Sequence, residues 1–144
     1  RNLFPDHKPD TFEFIMCFLA SSLDGKKKES LIILLIGTGS NGKTSLLELL
    51  RETISVYAVK MSLSFLTHRQ KNAEGATPAL MVLEKARIAM YSEAERSETL
   101  LMSKVKEITG QEALAGRKLH GDQRNIKPAC NHIVASNYDF EIIE

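Results

Sequence analysis

Residues 37–44 read GTGSNGKT, the pattern G-x-x-x-x-G-K-[ST]. Glycines let successive backbone N–H groups turn inward and cradle a phosphate. Lys43 adds a positive charge for the outer phosphates of a chain, and Thr44 offers a hydroxyl to Mg²⁺. The chemistry implied is the binding of a nucleoside triphosphate. Its contacts would come from Gly37, Thr38, Gly39, Ser40, Asn41, Gly42, Lys43, Thr44 and Ser45. An N-K-x-D element, which would read guanine, is not present, nor is an L-S-G-G-Q-like transporter signature. Both absences favour ATP.

Hydrolysis needs more than a phosphate cradle. A group must orient a water and help remove its proton, and something must hold the metal. Residues 87–92 (RIAMYS) lead into Glu93, with Glu95 two positions on. Carboxylates at the end of a strand beside a phosphate loop are placed for this work. Glu93 is the candidate for positioning and polarising the water, and for holding Mg²⁺ through a water. Many such ATPases carry a metal-holding acidic residue just before it, but here that position is Ser92. Glu95 is the candidate for supplying the missing charge. Glu98 extends the acidic run and reads as a charge at a helix N-terminus.

These residues need elements to hold them. LIILLI (31–36) is a β-branched and leucine run without polar alternation, which fits a strand buried on both faces of a parallel sheet. KTSLLELLRETIS after the loop reads as a helix with Leu46, Leu47, Leu50 and Ile54 as its apolar stripe. Strand, glycine loop and helix open a βαβ unit. Upstream, residues 10–23 read as a helix with Phe14, Ile15, Phe18 and Leu19 at helical spacing, capped by Asp10 or Thr11 and broken at Asp24-Gly25. Downstream, 57–61 reads as a short strand and 63–75 as loop. Thr77-Pro78 reads as a cap opening a helix over 78–85. Residues 87–92 read as a second buried strand and 131–136 (NHIVAS) as a third strand. Residues 98–109 read as a helix ended by Gly110, and 115–128 as a hairpin turning near Gly121-Asp122. Alternation of this kind argues for an α/β fold with a mostly parallel sheet.

Composition adds bounds. The 144 residues are 43% hydrophobic and 26% charged, enough for one domain with a real core. Nineteen basic and 18 acidic residues leave a net charge of +1, so any basic surface is local. Cys17 and Cys130 show no metal-ligand or disulfide spacing and read as core thiols in a reducing compartment. The apolar stretch 12–23 carries Glu13 and is shorter than the roughly 20 residues a membrane span needs. No membrane partner or targeting segment is expected. Lys26, Lys27 and Lys28 read as a solvated loop, and His68, Arg69 and Lys71 as plain surface. The first residue is Arg1 and the last three are IIE, which points to a piece of a longer chain.

Four blocks in order, GTGSNGKT, YSEAE, KEITGQE…GRKL and VASN, resemble superfamily 3 helicases. The likeness is greatest to the primase-helicase branch of phages, plasmids and large DNA viruses, including the poxvirus-type replicative proteins. It runs from about residue 12 to residue 137. The resemblance implies a P-loop NTPase with an AAA+-like core, cut short at its C-terminal end. Residues 1–30 would form a helical lead-in and 31–144 the core. It implies Lys43, Glu93 and Asn137 as catalytic residues, Asn137 being a polar sensor for the γ-phosphate or the attacking water. Lys106, Thr109, Gly110, Glu112 and Arg117 fall on its third motif. Gln111 departs from a usual glycine there, and Glu112 from a usual aspartate.

The hairpin stretch 115–128 holds Arg117, Lys118, Arg124 and Lys127 against a single acid, Asp122. Motors of this family look like rings, here expected to be hexameric, whose hairpins grip single-stranded DNA by its backbone. Lys118, His120, Arg124 and Lys127 are the implied DNA contacts, and such contacts are salt-dependent. The resemblance implies ATP-driven 3′ to 5′ movement in DNA replication, with Mg²⁺ as cofactor. It also implies a neighbouring subunit's arginine from beyond residue 144, a possible linked primase domain, and an intracellular site, the host cytoplasm if viral. Two other readings stay open: a P-loop phosphotransferase acting on a nucleotide or small molecule, and an ATP-binding switch or clamp loader that does not unwind.

Overall fold

The computed structural model of the protein describes residues 9–26, 29–67, 78–92, 98–110, 112–117 and 122–144. Along the chain come α1 (Pro9–Asp24), β1 (Ile32–Ile36), α2 (Lys43–Ile54), β2 (Ala58–Ser62), α3 (Ser64–Thr67), α4 (Pro78–Val82) and β3 (Ile88–Ser92). They are followed by β4 (Thr99–Leu101), α5 (Met102–Thr109), β5 (Leu114–Arg117), β6 (Gln123–Ile126), β7 (Asn131–Ser136) and β8 (Glu141–Ile143).

Four strands form a parallel sheet in the order β1-β7-β3-β2. The crossover through α2 therefore carries the chain from one edge to the other, and strands from later in the sequence fill the space between. The expected α/β architecture is present, and β5 and β6 pair antiparallel as the expected hairpin. Side chains alternate across the sheet as a period of two requires. Ile88 and Met90 of β3 face the same side as Ile133 and Ala135 of β7, where α1 and α2 cover them with Ile15, Phe18, Leu47, Leu50 and Ile54. Ala89, Tyr91 and Val134 face the other side, under Leu66, Leu80, Ile108 and Ile126. Each such leucine or isoleucine contributes roughly 1.5–3 kcal/mol by leaving water.

The lead-in helix is tied to the sheet by polar contacts as well. The Asn131 amide, buried at the start of β7, donates to the Phe18 carbonyl (3.1 Å) and the hydroxyls of Ser21 (2.7 Å) and Ser22 (3.0 Å). The Arg87 guanidinium donates to the Leu23 carbonyl and lies 4.7 Å from the centre of the Tyr57 ring. Among the described residues no helix is long and apolar enough to cross a membrane.

Several expectations need correction. β1 is only half-buried, with Ile36 42% exposed, because it lies at a sheet edge. The strands covered on both faces are β3, whose burial was expected, and β7, whose polar residues disguised it. Residues 99–101 are not helical: they pair in parallel with β8, a strand the local pattern did not announce, and α5 starts at Met102. Residues 64–67 form one helical turn with Leu66 fully buried, and α4 is shorter than expected. The inward face of α1 is Ile15, Phe18 and Ser22, which leaves Phe14 exposed. Cys17 is exposed and only Cys130 is a core thiol, and neither is in a disulfide. Thr77, Lys27, Lys28, His68, Arg69 and Lys71 lie outside the described residues.

Candidate functional site

The C-terminal ends of β1, β3 and β7 meet at one edge of the sheet, where ligands of parallel α/β folds bind. Residues 37–42 leave β1 there and enter α2. The Gly37 N–H donates to the Ser136 carbonyl (3.2 Å), which fixes the start of the loop to the end of β7. A Cβ on Gly37 would lie 2.5 Å from the Asn41 amide nitrogen, so a larger residue there would displace the Asn41 side chain. Gly42, at φ +89°, turns the chain into α2, and Leu46 N–H donates to its carbonyl (3.0 Å). Ser40 is also left-handed, at φ +62°. Such a residue costs of order 1 kcal/mol or more and is typical of ligand loops.

No side chain caps the N-terminus of α2. Its first-turn N–H groups, with the helix dipole behind them, suit an anion. Lys43 is folded over the loop, its ammonium donating to the Gly37 carbonyl (2.5 Å) and the Asn41 carboxamide oxygen (2.9 Å). Burial holds its pKa below the usual lysine value of 10.5.

Beside the loop lies a cleft of about 360 Å³. Lys43, Thr44, Leu47, Glu48 and Arg51 of α2 form one wall. Met90 and Ser92 of β3 and Ala135 and Ser136 of β7 line it, together with Lys60 of β2 and Asn137. Asn137 is held in place by its neighbours: the Ser136 hydroxyl donates to the Tyr138 carbonyl (2.6 Å) and accepts from the Tyr138 N–H (2.9 Å). One residue before Ser92, the Tyr91 hydroxyl lies 3.2 Å from Nδ1 of the fully buried His132, linking β3 to β7. Burial pushes the Tyr91 phenol well above its usual value.

The structure thus brings Lys43, Thr44 and Asn137, far apart in sequence, to one cleft. Glu93 and Glu95 lie outside the described residues, as do Gln111, Lys118, His120 and the Arg117 side chain. Lys106, Thr109, Gly110 and Glu112 do not line the cleft. Thr109 donates to the Val105 carbonyl (2.8 Å), and the Gly110 N–H to that of Lys106 (2.8 Å), so these two finish α5. On the hairpin Lys127 is exposed, whereas Arg124 is ion-paired with Glu84 at 2.7 Å. Glu48, Arg51 and Lys60 were not foreseen. Glu48 and Arg51 follow Thr44 by four and seven positions on one helix face, a spacing visible in the sequence. Lys60 needed the strand order.

Three His, Cys, Asp or Glu side chains able to hold a metal by themselves are not found among the described residues. The Thr44 hydroxyl and the Glu48 carboxylate instead fit a hard cation that takes most of its oxygens from a ligand and water.

The profile of a family of unknown function, DUF5906, matches residues 35–144. The chain belongs to this family. Among curated relatives, "Putative primase C962R" of African swine fever virus is 32% identical over 130 residues, 90% of this chain and 14% of that protein. "Putative helicase L207/L206" of Acanthamoeba polyphaga mimivirus is 28% identical over 125 residues, 87% of this chain and 13% of that protein. "Putative helicase 022R" of Frog virus 3 is 31% identical over 120 residues, 83% and 12%. The chain therefore spans about a seventh of the length of these relatives. Among solved structures, an apo structure of the NrS-1 C terminal region shares the fold with a TM-score of 0.73 at 19% identity, over 97% of this chain and 32% of that one. This DUF5906 member fits the primase-helicase branch that its motif order resembles.

Proposed function

We propose that this chain is the ATP-hydrolysing core of a replicative DNA helicase, a P-loop NTPase of AAA+ type. The carrying observation is the convergence of Lys43, Thr44, Ser92 and Asn137 on one cleft beside an uncapped helix N-terminus. The amides of residues 38–44 bind the β-phosphate, helped by the α2 dipole. Lys43 exchanges its loop acceptors for β- and γ-phosphate oxygens. Thr44 is the residue that holds Mg²⁺, which when bound neutralises charge on the phosphates. Glu93 orients the attacking water and accepts its proton, and Asn137 contacts the γ-phosphate or that water. The bond between the γ-phosphorus and the β,γ-bridging oxygen breaks as the water oxygen adds, giving ADP and phosphate.

The names of the viral relatives support DNA as the partner. The β5–β6 hairpin grips the backbone of single-stranded DNA inside a ring of identical subunits, through Lys127, which follows β6, and through Lys118 and His120, which fall between the two strands in sequence. A neighbouring subunit's arginine completes each site. The test is the ATPase rate of the protein with and without single-stranded DNA. Stimulation by DNA that is lost in Lys118→Ala or His120→Ala is expected. Phosphate transfer to an added nucleoside, indifferent to DNA, would replace this reading with a phosphotransferase.

A further inference from the structure

We infer that Glu48 supplies the carboxylate that orders the Mg²⁺ shell in this site, an inference that rests on the ATP reading above. A magnesium ion bound with a substrate's phosphates keeps several waters and takes one or two carboxylates from the protein. The end of β3 offers a hydroxyl at Ser92 instead. The cleft is rich in cations, with Lys43, Arg51 and Lys60 on its walls, and Glu48 is its only carboxylate among the described residues. Glu48 stands one helical turn after Thr44, so their Cβ atoms are about 5–6 Å apart on one face. Side chains on a helix tilt towards its N-terminus, so Glu48 leans back over Thr44 and not away from it. Thr44 and Glu48 are then a pair: the hydroxyl binds the ion and the carboxylate accepts hydrogen bonds from its waters.

The competing role for Glu48 is a surface ion pair with the cations further along α2. Arg51, its neighbour three positions on, is instead paired with Glu52 at 2.9 Å. Exposed pairs of that kind contribute little, and nothing in them responds to magnesium.

The experiment is a titration of a fluorescent ATP analogue onto the protein at a series of Mg²⁺ concentrations, and again in chelator. In Glu48→Gln the Mg²⁺ midpoint is expected to rise roughly tenfold or more, the usual effect of losing an outer-shell metal partner. Affinity in chelator and the melting temperature should match the parent. Adding Ser92→Asp to Glu48→Gln should return the midpoint towards the parent value, and Glu52→Gln should leave it unchanged. A midpoint within twofold of the parent in Glu48→Gln overturns the inference. So does an equal loss with and without metal, and so does a midpoint that moves in Glu95→Gln and not in Glu48→Gln. If the parent binds no analogue under any condition, the ATP reading itself fails and this inference falls with it.

Discussion

Lys43 carries two testable consequences at the scale of a single residue. Its ammonium now rests on three acceptors of its own loop, the Gly37 and Thr38 carbonyls and the Asn41 carboxamide oxygen, ready to exchange them for a ligand's oxygens. Lys43→Ala should weaken binding of an ATP analogue by about 10- to 100-fold, the equivalent of about 1.5–3 kcal/mol for a hydrogen bond to a charged group. Calorimetric titration would check this. The pH dependence has a definite sign. Burial lowers the Lys43 pKa from 10.5, and only the charged form attracts phosphates. Affinity in the free protein should therefore be full near neutrality and begin to fall at a pH below 10.5. Lys43→Arg should lack that alkaline limb, since a guanidinium stays charged. The loop glycines should also differ from one another. Gly37→Ala would push on Asn41 and disturb the Lys43 anchor, whereas a Cβ on Gly39 meets nothing within 4 Å. Analogue affinity should drop in the first variant and hold in the second.

Among the elements, the hairpin and α2 show how local chemistry is bent by neighbours. The hairpin is seated by Leu114 and Ile126 in the core and by Gly116 beneath Met81, where a Cβ would come within 2.8 Å of the sulfur. Arg124 leaves that hairpin to meet Glu84, both partly exposed. A pair of this kind adds about 0–1 kcal/mol to stability, so its main effect falls on charge. Glu84→Gln should barely change the melting temperature yet tighten single-stranded DNA binding at low salt, by releasing Arg124 to the hairpin face. Fluorescence anisotropy at several salt concentrations would check it, and an unchanged affinity would mean Arg124 does not meet DNA. At the other end of α2, Ser55 has φ +54° and ψ −123°, a region nearly reserved for glycine. Ser55→Gly should raise the unfolding free energy by about 1 kcal/mol in chemical denaturation, as the strain is released.

For the molecule as a whole, Asn131 joins α1 to the central strand through three hydrogen bonds. Asn131→Ala should cost about 1–3 kcal/mol of unfolding free energy, because buried acceptors on α1 lose their donor. Hydrogen exchange should quicken in α1 before it quickens in β7. The loop, its lysine and threonine, the helix that follows and the α/β class were legible in the sequence, because each rests on short-range geometry: a glycine spacing, a 3.6-residue stripe, a bounded apolar run. The ranking of the strands was not. LIILLI has the most apolar pattern yet occupies an edge, while NHIVAS, with Asn131, His132 and Ser136, is wholly buried. Asn131 and His132 find partners far away in sequence, such as Phe18, Ser22 and Tyr91. The same holds for Thr99–Leu101, whose strand character comes from β8 some forty residues later.

The glycine loop of residues 37–44 and the helix it opens were thus determined by the sequence alone, since a glycine spacing followed by an apolar stripe is short-range geometry. Tertiary structure alone decided what faces that loop. The order β1-β7-β3-β2 brings Ser136 and Asn137 against Gly37 and Lys43 and puts Lys60 at the far side of the cleft. Strand order is set by which apolar faces and buried polar groups can be satisfied together, and no local run of residues encodes that choice.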